Sequence, residues 1–181
     1  MRRWIIVFCI LLSPVIVNAE IEKLSRGCNS GFCLYWWPKL TSVKGWHQER
    51  ESSYANSANI QVPDGSTFSD AETVIYASAL YKPRVPETTS LEMLLNNDKN
   101  KFLSHDPGMV ITEVAPLETG DGKLLKSYTF FPQKKGDWEQ VSYGEEGDFF
   151  LIFTISSRTQ EGFAKTLEIY RQYISQYKEN P

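Results

Sequence analysis

The chain has 181 residues, a formal charge of −3 and an aromatic content of 13%. One domain's length with a core of useful size is the reading, and the acidic balance gives no basic surface suited to nucleic acid or anionic lipid.

Arg2 and Arg3 precede an uncharged apolar run from Trp4 to Val17, and Val17-Asn18-Ala19 then leads into Glu20. A basic start, a greasy centre and small residues at −3 and −1 are the layout of a secretory signal peptide. The run is short for a bilayer span and contains Ser13-Pro14. Ser25-Arg26-Gly27 before Cys28 makes a poor lipobox, with charged residues intervening. The expectation is therefore a signal peptide over 1–19 and a single soluble domain over 20–181, working in the periplasm or outside the cell. Loss of Arg2 and Arg3 would take the formal charge from −3 to −5.

Cleavage removes Cys9 and leaves Cys28 and Cys33, which an oxidising compartment would join as a disulfide pinning the start of the domain. The enclosed loop is small, so its entropic contribution is modest. Redox pairs favour Cys-x-x-Cys, and two cysteines with His47 and His105 match no zinc spacing. The absence of any Asn-x-Ser/Thr sequence favours a bacterial envelope over a glycosylating route.

Leu34-Tyr35-Trp36-Trp37 reads as a strand stopped by Pro38, and 46–54 as a polar edge strand. Asn59-Ile60-Gln61-Val62 follows and ends at the turn Pro63-Asp64-Gly65. Residues 73–81 carry apolar groups on both parities, the pattern of a central strand covered on both faces. A helix is predicted over 90–104, with Thr89 or Ser90 as N-cap, Glu92 as a capping-box partner, and Leu91, Leu94, Leu95, Phe102 and Leu103 as its buried stripe. Asp106-Pro107-Gly108 ends it.

Glycine beside aspartate marks three later junctions, so 109–117, 124–131, 138–143 and 149–155 read as an antiparallel meander. The last of these is apolar without alternation and belongs at the sheet centre. The closing helix is the clearest periodic element, with Phe163, Leu167, Tyr170, Ile174 and Tyr177 on one stripe. The fold class expected is α+β, an antiparallel sheet with helices on both faces.

An aromatic strand ending in Pro38, then Gly45-Trp46, a helix between two antiparallel strand groups, and a 149–155 strand followed by a 163–177 helix together resemble the PsbP-like α/β/α sandwich. The resemblance spans roughly Phe32 to Tyr177 and rests on the order of elements. It implies a binding or assembly scaffold with no family-wide catalytic site. The Cys28–Cys33 pair departs from that pattern.

Chemical motifs are sparse. There is no Gly-x-Ser-x-Gly, no His-paired cysteine and no phosphate-cradling loop, and Gly120-Asp121-Gly122 reads as a hairpin turn. His47, Glu49 and Glu51 would share one strand face and could approach a metal, but a solvated face is the simpler reading. His105-Asp106 could be an oriented base, or a histidine meeting helix-end carbonyls. Asp137, Glu139, Glu145, Glu146 and Asp148 could hold calcium but lack EF-hand spacing. No catalytic, cofactor or metal residue is assigned and no cofactor is called for.

The function expected is a non-catalytic binding or accessory protein of the envelope, acting on an unknown envelope protein. It needs no nucleic acid and no stable membrane insertion after cleavage. A small-ligand or metal-binding periplasmic protein is the alternative, and a hydrolase the second alternative. Trp46, His47, Tyr54 and Trp138 are the candidate partner contacts, with a place in the core the alternative for either Trp.

Overall fold

The computed structural model of the protein describes residues 21–28, 31–133 and 136–178. The signal peptide expected over 1–19 lies outside the described residues.

A two-stranded ribbon comes first, β1 (Ile21–Cys28) paired antiparallel with β2 (Gly31–Pro38). Cys28 and Cys33 are joined near its tip, their Cα atoms 5.9 Å apart. The bridge thus clamps the ribbon on itself and does not by itself pin the start of the domain to the main sheet. The attachment comes from aromatic packing. Trp37 is 1% exposed and donates through Nε1 to Glu22 at 2.8 Å. Its ring, with Tyr35, meets Tyr54, while Trp36 packs on Tyr81 and Phe149.

The main sheet follows, with seven strands in the order β3-β4-β5-β9-β8-β7-β6 and every neighbouring pair antiparallel. Its strands are β3 (Trp46–Gln48), β4 (Asn59–Pro63), β5 (Thr73–Tyr81), β6 (Val110–Glu118), β7 (Leu124–Phe131), β8 (Trp138–Glu146) and β9 (Phe149–Ser157). The predicted meander holds, and β9 is the middle strand of the seven. Edge strand β6 carries a register shift between Val114 and Leu117. Pro116 sits inside that irregularity, where no ladder donor is required.

The polar strand predicted over 46–54 is corrected. Only Trp46–Gln48 extends, and α1 (Arg50–Asn56) follows. Glu49 caps it by accepting from the Ser52 amide, and Ser53 Oγ donates back to the Glu49 carbonyl at 2.8 Å. From Trp46 to Asn56 there is no β-branched residue, so helix has little competition from strand propensity.

Two longer helices complete the fold, α2 (Leu91–His105) and α3 (Gln160–Ile174). Ser90 caps α2 by accepting from Met93 N, which places Glu92 one position too early for the predicted capping box. Leu94 and Leu95 are buried, Leu91 and Phe102 are partly buried, and Leu103 turns outward, correcting that part of the stripe. Phe102 stacks on Phe130 with centroids 4.1 Å apart.

Strand parity separates two cores. Ile75, Ala77, Leu151, Phe153 and Ile155 pack with Phe163, Tyr170, Tyr173, Ile174 and Tyr177. Tyr128, Phe130, Val141, Tyr143 and Phe150 pack with Leu94 and Leu95 of α2. Tyr170 anchors the first core: its hydroxyl donates to the Phe153 carbonyl at 2.8 Å and lies 3.0 Å from Ser142 Oγ. Gly162 allows α3 to start close to the sheet, since a Cβ there would meet Ser157 Oγ at 2.6 Å and Thr73 Oγ1 at 2.9 Å.

Strand β5 corrects a second expectation. Thr73, Ile75, Ala77 and Ala79 are buried, but Val74, Tyr76, Ser78 and Leu80 on the other parity are only half-covered. That uncovered parity is where the candidate site lies.

Candidate functional site

The register brings Val74, Ser156 and Glu139 into one cross-strand row, and Ile60, Tyr76, Thr154 and Val141 into the next. Neighbours in a row point to the same face of a sheet. On this face α2 covers β7 and β8, whereas Phe68 and Ala71 of the connection from β4 to β5 pack over β4. Between these two walls the floor is open.

Two cavities of about 610 and 320 Å³ occupy the gap and share Tyr76, Ser78 and Glu139, so they form one groove. Ile60, Phe68, Ala71 and Val74 give one end an apolar lining. Asp98, Lys101, Phe102 and His105 of α2 wall the other. The floor is polar for the centre of a sheet, with Ser78, Thr154, Ser156 and Glu139 beside the Tyr76 ring.

Glu139 is half-buried and accepts from Ser156 Oγ at 2.7 Å. Burial pushes its carboxyl up to about 7; the Ser156 hydrogen bond opposes this, and the charge of Asp137 reinforces it. Burial also raises the Tyr76 phenol, followed by the charge of Glu139. The basic side chains along the groove are engaged: Arg158 donates to the Ser69 carbonyl at 2.5 Å, and Lys101 lies 3.4 Å from Asp98. Glu72 at the rim accepts from Thr159 Oγ1 at 2.5 Å.

The predicted partner contacts do not gather here. Trp46 is buried, so of its two readings the core one holds, which corrects the surface contact, and Trp138 is half-buried against Phe131. Both belong to the α3-side core. His47 lies 3.4 Å from Asp64, and Tyr54 packs under the Arg26 guanidinium and against Tyr35 and Trp37.

His47, Glu49 and Glu51 do not share a strand face: Glu49 caps α1 and Glu51 pairs with Arg26 at 3.0 Å. Asp106 accepts from Gly108 N at 3.0 Å and ends α2, while His105 stands at the groove mouth. The acidic set also divides. Asp137 and Glu139 lie at the start of β8; at its far end Glu145 bonds Lys82 at 2.7 Å and Glu146 accepts from the Tyr177 hydroxyl. Among the described residues, no three His, Cys, Asp or Glu side chains converge as a metal site, and no helix is long and apolar enough to cross a membrane.

Sequence reasoning missed the groove. One signal was legible: β9 is apolar on both parities through Phe153 and then carries Thr154 and Ser156 on the parity opposite Phe153 and Ile155. A central strand that turns polar on one face marks a face left uncovered.

No family model matches the chain, and no curated protein matches it. Several solved structures are similar, these two among them. One is a Pseudomonas aeruginosa protein of unknown function, PA94, with 12% identity and a TM-score of 0.47, the match covering 88% of this chain and 99% of that one. The other is the Ran-binding protein Mog1p of Saccharomyces cerevisiae, with 11% identity and a TM-score of 0.40, covering 86% and 90%. At those TM-scores neither likeness carries an argument about this chain.

Proposed function

We propose that the chain is an exported, non-catalytic binding protein of PsbP-like α/β/α architecture that engages an envelope partner through the groove over β5, β9 and β8. The groove itself carries this reading: its size is that of a ligand site, an apolar wall on one side and a mixed polar wall on the other flank a few convergent polar groups, and a carboxyl within it is perturbed upward. The two cores of opposite strand parity support the sandwich. The joined cysteines are compatible with an oxidising compartment.

One geometry favours a hydrolase as the second reading, because Ser156 donates to a carboxylate at 2.7 Å, the relation of a nucleophile to its base. Acyl transfer also needs backbone donors aimed at the developing oxyanion. Ser156 sits in a strand paired on both sides, opposite Val74 and Glu139, where ladder bonds occupy the amides. Binding is therefore the function the site suits better.

The test is photocrosslinking in the source's own envelope, with a photoreactive residue at Ser69 or Lys101 on the groove walls and at Arg171 on the exposed side of α3. A discrete adduct from the two wall positions and none from Arg171 is expected. Equal adducts from all three, or none from either wall, would overturn the groove as the interaction site. Export is tested separately by intact mass, with a mature chain starting at Glu20 expected and full-length protein in membranes refuting it.

A further inference from the structure

We infer that the groove accepts an ammonium group carried on an apolar stem, with the cation seated against Glu139 and the Tyr76 ring and the stem against Phe68 and Val74. This rests on the groove being the binding site.

The charges leave little other choice. Glu139 has one hydrogen-bond donor among the described residues, the Ser156 hydroxyl, and no ion-pair partner. The groups that face it are Ser156 from β9, Tyr76 from β5 and Asp137 just ahead of its own strand, with Asp98, Lys101 and His105 along the α2 wall and Arg158 and Glu72 toward the other. Arg158 is held by the Ser69 carbonyl and Lys101 lies beside Asp98, so neither neutralises Glu139. A half-buried carboxylate without a cation is unfavourable, and its upward-shifted pKa is the expression of that cost.

An incoming cation would stabilise the ionised form and add an aromatic face from Tyr76. An anion would meet Asp137, Glu139 and Glu72, and a neutral ligand would leave the carboxylate as it is. The groove's other lining, Ile60, Phe68, Ala71 and Val74, excludes a bare inorganic ion as the natural fit and suits an aliphatic or aromatic stem. A free organic amine and a lysine side chain of a partner protein share this chemistry.

The test is titration of the full mature protein, in phosphate buffer free of amines, with hexylammonium chloride, 1-hexanol, and capped Gly-Lys-Gly peptide, read by amide chemical shifts. Saturable binding of hexylammonium is expected, with shifts confined to β5, β9, β8 and 68–74, and at least tenfold weaker binding of 1-hexanol. Glu139→Gln should weaken hexylammonium at least tenfold without moving 1-hexanol, and Glu139→Asp should restore part of the loss. A tighter peptide points to a lysine of a partner, and tighter hexylammonium to a free amine; both support the inference.

Equal binding of hexylammonium and 1-hexanol, unchanged affinity in a folded Glu139→Gln variant, or no saturable binding of either amine would overturn it. Failure here with positive wall crosslinks would leave the groove as a binding site for a different chemistry, so the two readings fail separately.

Discussion

Replacing Glu139 by Gln tests the electrostatics of the groove without any ligand. Burial raises the folded-state carboxyl from 4.5 to about 7. Below the unfolded value both states carry the proton, so the glutamate adds no penalty there. As pH rises from about 4.5 to about 7 the unfolded chain ionises first, the folded state holds the extra proton, and stability falls. Above about 7 the loss is complete and constant. At about 1.36 kcal/mol per pKa unit the full penalty is about 3 kcal/mol, an upper bound for a half-buried group. Gln keeps the shape and still accepts from Ser156, so it should remove the penalty. For a domain of this size about 3 kcal/mol corresponds to roughly 6–12 °C in Tm. The assay is thermal unfolding of both proteins from pH 4 to 8.5 in phosphate and acetate. Differencing the two curves cancels every other titrating group they share. The variant should match wild type near pH 4 and gain progressively through pH 7. A flat difference, or one that grows toward acid, would refute the reasoning.

Three further outcomes follow from the packing. Gly162→Ala should lose about 1–3 kcal/mol in chemical denaturation, because its Cβ would meet Ser157 Oγ and Thr73 Oγ1, with the Glu72 carboxyl carbon at 2.9 Å; an unchanged midpoint would show that α3 can shift off the sheet. Tyr170→Phe should cost about 1–2 kcal/mol, since the buried Phe153 carbonyl loses the side-chain donor at 2.8 Å, and differential scanning calorimetry would measure it. The double substitution Cys28→Ser, Cys33→Ser should lower global stability by no more than about 2 kcal/mol, given the small loop closed, while amide exchange accelerates in Gly31–Pro38; loss of the whole fold would show that the bridge anchors more than the ribbon.

Local chemistry alone was enough to specify much of this fold. The strand at Thr73–Tyr81, the glycine-aspartate turns between the last four strands, a helix start at Thr89 or Ser90 and the period of α3 each declare themselves within a few residues, because backbone preference and one-sided burial act at that range. The one-sided covering of Thr73–Tyr81 does not. The pair Cys28–Cys33 was legible by count. The 46–54 segment was not, since polar residues without β-branching fit a short helix as readily as an edge strand, and the Glu49 cap becomes informative only once β4 fixes where the chain turns.

Tertiary packing decided the rest. Trp46, paired across with Pro63, and Trp138, paired with Ser157 opposite Thr73, pack into the core that contains the α3 residues, Trp46 buried and Trp138 partly so. The groove arises from strands distant in sequence, with Tyr76, Ser156 and Glu139 brought together by the pairing of β5, β9 and β8. Glu139 stands out in its own segment only as one of several acidic residues near hairpin turns, and Ser156 only as a polar position in an apolar strand. What makes Glu139 chemically distinct is the gap between α2 and the 64–72 connection, a matter of where two coverings stop on a shared sheet, which no short window of sequence encodes.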